Sequence, residues 1–192
     1  MRSGVKRVVL LCCAAGVLAA GCAPRATFSP PTDRQLSRLD NRLDARNSYT
    51  GYCDFVLEDG RVRASLAIQV ASDTVRALCT DELGMQLGHV VATSGGITVE
   101  RAFPPLKKTM VATLGYVARA YHMVAQKRFT DDGAYTAPLC GRLWLAVFAQ
   151  GREADSFLIG KEETPLYAAK FERQRIFFMN ASGDTILFCH IR

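Results

Sequence analysis

The stretch Arg61-Val-Arg-Ala-Ser-Leu-Ala-Ile-Gln-Val70 decides the class of fold. Its apolar side chains recur at every second position, as Val62, Ala64, Leu66, Ile68 and Val70. The positions between them are largely polar. Such alternation is typical of a β-strand that buries one face in a core and exposes the other to solvent.

Segments of the same kind lie on both sides, separated by turn-forming residues such as Glu58-Asp59-Gly60 and Ser94-Gly95-Gly96. We expect strands at 49–57, 61–70, 74–80, 85–93 and 97–103. Successive strands with tight turns predict an antiparallel meander with one buried face.

The pattern changes after Pro104-Pro105, which ends the meander. Residues 106–127 carry apolar side chains at helical spacing on more than one face, so we expect a largely buried helix there. Residues 128–141 have the composition of a loop, and 166–172 fits either a strand or a helix. We expect the remaining strands at 142–148, 156–159, 175–180 and 185–191, the last two as a closing hairpin.

A short amphipathic helix is expected to precede the meander, because Asp33 is a suitable cap and leucines recur at helical spacing up to about residue 46. The sequence therefore predicts an α+β fold for residues 33–192. Its sheet should be antiparallel, with about nine to ten strands, and curled into an incomplete β-barrel with helices on the concave side.

The beginning of the chain resembles the leader of a bacterial lipoprotein. An apolar run from Val8 to Ala20 follows three basic residues and ends in the lipobox Leu18-Ala19-Ala20-Gly21-Cys22. The run is short for a transmembrane helix, which needs about 20 apolar residues. We expect residues 1–21 to be a signal peptide and Cys22 to carry the lipid anchor. The alternative is an ordinary secretory leader in which Cys22 is incidental.

Residues 22–32 are expected to tether the anchor to the domain, because they are rich in proline and small residues. Ala23 follows the anchor cysteine, and by the sorting rule of Gram-negative lipoproteins this resembles an outer-membrane destination. The domain should then face the periplasm, held to the outer membrane by its lipid.

Without the three basic residues of the leader, the formal net charge of +6 at pH 7 falls by three to +3, a modest excess that indicates solubility. No block of basic residues with interleaved aromatics points to nucleic-acid binding. Four cysteines follow the leader: Cys53, Cys79, Cys140 and Cys189. In an oxidising periplasm they would form two disulfides, in any of three pairings. The alternative is buried free thiols.

The sequence does not favour an enzyme. His89, His122 and His190 lack the spacing of a helical metal site, and His122 is better explained as a core histidine. No nucleotide-binding or hydrolase motif occurs in the right context. We expect a binding or transfer protein without a cofactor or a metal.

The lipobox, the N-terminal helix, the meander, the Pro104-Pro105 break, the buried helix and the second set of strands together resemble the LolA/LolB superfamily. The resemblance spans most of residues 33–191. It implies an incomplete β-barrel whose apolar concave face holds acyl chains. An anchored chain is most similar to the outer-membrane lipoprotein receptors of the superfamily, although those are rich in tryptophan and this chain has only Trp144.

The resemblance also implies sites and partners. Leu83, in the turn Asp81-Glu82-Leu83-Gly84-Met85, is the candidate membrane-facing residue; the alternative is a leucine folded onto the core. Acyl chains or lipoproteins would be the cargo, delivered by a periplasmic carrier protein. The alternative is a structural or accessory envelope lipoprotein that acts through a protein partner. Candidate cavity-lining residues, each of which core packing would also explain, are Ile68, Val90, Met110, Leu114, Val117, Phe148, Phe157 and Phe177.

Overall fold

The computed structural model of the protein describes residues 36–38, 47–125, 127–172 and 174–192. The predicted signal peptide, the anchor at Cys22 and the tether lie outside these residues. The strands are β1 (Leu36–Arg38), β2 (Asn47–Leu57), β3 (Gly60–Ala71), β4 (Thr74–Thr80), β5 (Gln86–Thr93), β6 (Gly96–Ala102), β7 (Gly133–Cys140), β8 (Leu143–Gln150), β9 (Glu153–Lys161), β10 (Thr164–Glu172), β11 (Arg175–Asn180) and β12 (Thr185–Ile191), and the helix α1 (Lys108–Ala125) lies between β6 and β7.

The strands form a single sheet in the order β1-β7-β8-β9-β10-β11-β12-β2-β3-β4-β5-β6. Every neighbouring pair is antiparallel except β1 and β7, which are parallel. The last strand, β12, pairs with β2 and so joins the N-terminal meander to the later strands. The predicted α+β class with a curled, incomplete barrel is confirmed, with 12 strands in place of nine or ten.

The helix lies inside the curl of the sheet. It packs mainly on β4, β5 and β6, and it also contacts β7 near the opposite edge. The β7–β8 turn and the β5–β6 turn, which come from opposite sides of the curled sheet, are joined by a hydrogen bond. In it the Gly141 N–H donates to the Ser94 carbonyl at 2.7 Å. A sheet of this size tends to curl, and the helix fills the concave side that curling creates.

Two glycines let the helix approach β5 closely. A Cβ atom at Gly115 would lie 2.7 Å from Val90 Cγ2, and one at Gly88 would lie 2.8 Å from Val111 Cγ2. Both distances are shorter than real carbon contacts, so a side chain at either position would push the helix away from the sheet. The middle of α1 therefore packs on the sheet without a gap.

One fully buried charge fixes the orientation of the helix. The Arg119 guanidinium donates to the Leu139 carbonyl at 2.6 Å, to the Asp73 carbonyl at 2.8 Å and to Asp73 Oδ1 at 2.7 Å. Asp73 Oδ2 also accepts the Ser94 N–H at 2.7 Å. Partial burial would raise the pKa of the Asp73 carboxyl, but the hydrogen bonds from Ser94 and Arg119 outweigh it and lower that pKa.

Two predicted elements are wrong. Residues 36–38 are not helical but form β1, which pairs with Ala134, Tyr135 and Thr136 of β7; the rest of that predicted helix lies outside the described residues. Residues 133–140, predicted as a loop, form β7 and pair with β8. In both cases strand pairing outweighs the local composition: β1 pairs with a segment about a hundred residues away, and β7 forms a hairpin with the strand that follows it. The ambiguous segment at 166–172 is part of a strand, β10.

Candidate ligand-binding cavity

A cavity of about 620 Å³ lies between the first turns of α1 and the sheet. Its volume falls within the usual range of ligand sites, about 300–1,000 Å³. It is lined by Phe55, Val56, Leu57, Glu58, Asp59, Pro105, Lys107, Thr109, Met110, Thr113, Tyr167, Ile186 and Leu187.

The position of the helix creates this space. Because α1 packs mainly on β4, β5 and β6, its first turns leave the beginnings of β10 and β12 and the end of β2 uncovered. These three strand ends lie together because β12 runs antiparallel to β2, with Leu187 opposite Phe55. The cavity therefore opens at the end of the sheet that carries the β2–β3 turn.

The inner wall is apolar and the rim is charged. Phe55 and Leu187 are buried in the wall, whereas Glu58, Asp59 and Lys107 are exposed at the mouth. The Thr113 hydroxyl donates to the Thr109 carbonyl at 3.0 Å, so it needs no partner from a ligand. An apolar chain with a polar head suits such a lining, because the head would stay among the charged groups.

The largest exposed apolar side chains of the described residues lie at this same end. Leu83 is 85% exposed, Met85 61% and Phe103 47%. In an antiparallel meander the β2–β3 turn, the β4–β5 loop and the end of β6 share one edge. Three solvent-exposed apolar side chains therefore lie at the end of the sheet where the cavity opens.

The β4–β5 loop is built to display Leu83. Asp81 Oδ1 accepts the backbone N–H groups of Leu83 at 2.9 Å and of Met85 at 2.8 Å. Gly84 has a φ of 79°, a left-handed conformation that glycine adopts without strain. The loop is therefore held in one shape by a carboxylate and a glycine. Leu83 therefore does not fold back onto the core, which was the alternative expected for this residue from the sequence.

Most of the predicted lining residues are placed elsewhere. Met110 lines the cavity. Five others lie in the packed core and not in the cavity wall: Ile68, Val90, Leu114, Val117 and Phe157.

Phe148 and Phe177 are on the wrong face to line a cavity. Phe148 packs on the outer face of the sheet beside Trp144 and Met179, and Phe177 contacts the Phe188 ring at 5.1 Å between centroids. Alternation is the reason, because their neighbours Val147 and Phe178 point into the core.

Sequence reasoning missed Phe55, Tyr167, Ile186 and Leu187 as lining residues. The signal that would have found them is position: each lies near the end of a strand at the edge where the β2–β3 turn lies. Tyr167 is held in the wall by stacking on Phe178, with centroids 5.1 Å apart.

The histidines of the described residues form no common site. His122 Nδ1 lies 2.9 Å from the Tyr49 hydroxyl, and His89 Nδ1 lies 2.8 Å from Glu100 Oε2. Within the part of the chain that the structure describes, no three His, Cys, Asp or Glu side chains are grouped as metal ligands. No described helix is both long enough and apolar enough to cross a membrane.

In comparisons with known proteins, no protein-family model matches the chain, and no curated protein matches it.

Proposed function

We propose that this protein is a lipid-anchored outer-membrane lipoprotein that binds acyl chains, or the acyl chains of lipoproteins, and assists their transfer or insertion into the outer membrane. The observation that carries the proposal is the cavity of about 620 Å³, which opens at the end of the sheet that exposes Leu83, Met85 and Phe103. A binding cavity beside an apolar surface suits a ligand that moves between protein and bilayer.

The energetics favour an apolar ligand. Each methylene moved from water into the cavity contributes about 0.8 kcal/mol, so about eight methylenes contribute roughly 6 kcal/mol. Before the entropic cost of association this would correspond to a dissociation constant on the order of 10–100 µM, so the real affinity is weaker. Such modest affinity suits transfer, because the cargo has to leave again.

The proposed lipid anchor at Cys22 would hold the cavity close to the membrane. A mature bacterial lipoprotein carries more than one acyl chain, and two or more chains hold a protein stably at a membrane. The tether of residues 22–32 would keep the cavity within reach of the bilayer that receives the cargo. A soluble periplasmic carrier protein would deliver it.

A structural or accessory role is the second candidate, and one observation favours it. The outer face of the sheet carries a second apolar cluster, built from Trp144, Ala146, Phe148, Leu158, Ala168 and Met179. Its half-buried members Trp144, Phe148 and Met179 are the part that a protein partner would contact, without any ligand in the cavity.

Binding of a fluorescent fatty acid by the chain from residue 23 onward separates the two candidates. We expect saturable binding, weakened at least tenfold by Met110→Glu, because the new carboxylate would lie in the cavity wall. Met179→Glu is the matched control, since it makes the same change on the outer face. Absence of saturable binding, or equal weakening by both variants, would favour the accessory role.

A further inference from the structure

Two of the four described cysteines face each other across adjacent strands. Cys53 lies in β2 directly opposite Cys189 in β12. Both are free thiols in the structure, and both are fully buried on the inner face of the sheet. The register of β2 and β12 therefore places these two cysteines opposite each other, which is true of no other pair among the four described cysteines.

The hydrogen bonds at the end of the two strands show which kind of pair it is. Thr50 and Arg192 exchange both backbone bonds, with N–O distances of 3.3 and 2.8 Å. Bonded and non-bonded pairs alternate along antiparallel strands, so Cys53 and Cys189, three positions further on, form a non-bonded pair. The Cα atoms of such a pair are about 4.5 Å apart, within the range that a disulfide spans, about 4.4–6.8 Å.

The other two cysteines have no such neighbour. Cys79 lies in β4, which pairs with β3 and β5, and its thiol donates to the Gly88 carbonyl at 3.6 Å. Cys140 lies in β7, which pairs with β1 and β8. Neither strand is adjacent to one that carries another of these cysteines.

We propose that Cys53 and Cys189 form a single disulfide under oxidising conditions, while Cys79 and Cys140 remain thiols. The two thiols lose two protons and two electrons as the Sγ–Sγ bond forms. A disulfide-bearing oxidant accepts both electrons through a mixed disulfide with one of the cysteines, and its two halves leave as thiols.

The bond has to form before the core closes. Burial, reinforced by neighbouring thiols and by Asp54, raises the pKa values of Cys53 and Cys189, so the attacking thiolate is scarce in the folded protein. The oxidant also cannot reach a fully buried sulfur. Once formed, the disulfide would be equally protected from reductants, so it acts as a permanent cross-link and not as a switch.

The cross-link has a consequence for the cavity. It ties β12 to β2 and therefore joins the two parts of the sheet. The next inward-facing pair along these strands is Phe55 and Leu187, which line the cavity wall. The disulfide thus holds the two strands together directly beside the proposed ligand site.

The test is a refolding experiment on the full-length protein, which is reduced in denaturant and refolded with reduced and oxidised glutathione. Free thiols are then alkylated in denaturant and the peptides mapped by mass spectrometry. We expect a linked pair of peptides containing Cys53 and Cys189, with Cys79 and Cys140 alkylated. Because glutathione replaces the envelope oxidant, the result does not depend on the proposed function or location.

Two variants sharpen the result. The double variant Cys79→Ala, Cys140→Ala should still form the link, and its bond should resist a reductant until the protein is unfolded. Cys189→Ala should leave Cys53 alkylated, and the oxidised wild-type protein should unfold several degrees above its reduced form. Equal alkylation of Cys53, Cys79, Cys140 and Cys189, or a link that involves Cys79 or Cys140, would overturn the proposal.

Discussion

Arg119 is the residue on which the packing of α1 depends. Its side chain is 1% exposed, and it satisfies two backbone carbonyls and one carboxylate oxygen from separate parts of the fold. We predict that Arg119→Met lowers the free energy of unfolding by about 2–4 kcal/mol, because buried carbonyls lose their donor. Denaturant unfolding measures this loss of stability.

The matched control is Arg76→Met, which removes an exposed arginine from β4. Its effect on the free energy of unfolding should stay within about 0.5 kcal/mol. Similar losses in the two variants would show that the bonds of Arg119 do not hold the helix.

His122 gives the stability a dependence on pH. Burial, and secondarily the positive charges of Arg119 and Lys127, lower its pKa from 6.5. The unfolded chain therefore binds more protons than the folded chain between the lowered pKa and 6.5. Stability should be full above that window, fall as the pH drops through it, and stay level below it as far as this histidine is concerned.

The variant His122→Gln should remove this slope in unfolding experiments between about pH 7.5 and 5. Tyr49→Phe is the control, because it removes the hydroxyl at 2.9 Å from Nδ1 but leaves the imidazole buried. A slope that persists in His122→Gln would assign the pH dependence to another group.

At the scale of single elements, the helix depends on its close approach to β5. We predict that Gly115→Val costs about 2–4 kcal/mol in the free energy of unfolding, because the new side chain would overlap Val90 and Ile97. Ala125→Val, at the exposed end of the same helix, should cost less than about 1 kcal/mol. Thermal and denaturant unfolding of both variants check the prediction. Equal costs would mean that helix propensity alone is responsible.

The β4–β5 loop is the element that should contact lipid. Replacing Leu83 by Glu should weaken binding of the chain from residue 23 onward to phosphatidylethanolamine–phosphatidylglycerol vesicles at least fivefold, because burying one leucine contributes about 1.5–3 kcal/mol. The stability should be unchanged, since Leu83 is 85% exposed. Vesicle co-sedimentation measures the effect.

Gln69→Glu is the control for charge. Gln69 is exposed near the β3–β4 turn, at the other end of the meander from Leu83. If this variant lost vesicle binding to the same extent, general charge repulsion and not the loop would explain the result.

Elements with a strong local pattern could be predicted, and the others could not. Alternation alone located β3, and the helical spacing of apolar residues located α1 within about two residues. By contrast, β7 contains Gly133 and Pro138, and its strand conformation comes from pairing with β8. The leucine spacing that predicted a helix around residue 36 likewise yields to pairing with β7.

At the scale of the whole molecule, the cavity follows from where the helix lies on the sheet. No periodicity in the sequence states that relation, which is why of the eight predicted lining residues the cavity contains Met110 and not the others. One part of this placement could nevertheless be read from the sequence. Phe177 and Phe178 are adjacent in a strand, so only one of them could face inward, and it is Phe178.

The exposed loop is the part of the candidate site that the resemblance implied, with a leucine folded onto the core as the alternative. In the structure the loop displays Leu83 because the Asp81 carboxylate accepts two backbone N–H groups of the turn. Its position at the end where the cavity opens follows only from the order of the strands. Loop and cavity together, and neither alone, suggest acyl-chain transfer.

Photo-cross-linking of a diazirine-labelled fatty acid to the chain from residue 23 onward is the decisive test of the proposed acyl-chain site. We predict saturable labelling of the cavity wall, at peptides that contain Met110 and Leu187, and its loss when unlabelled fatty acid competes. Labelling confined to the outer face around Phe148 and Met179, or labelling that excess fatty acid does not reduce, would contradict the assignment of the cavity as an acyl-chain site.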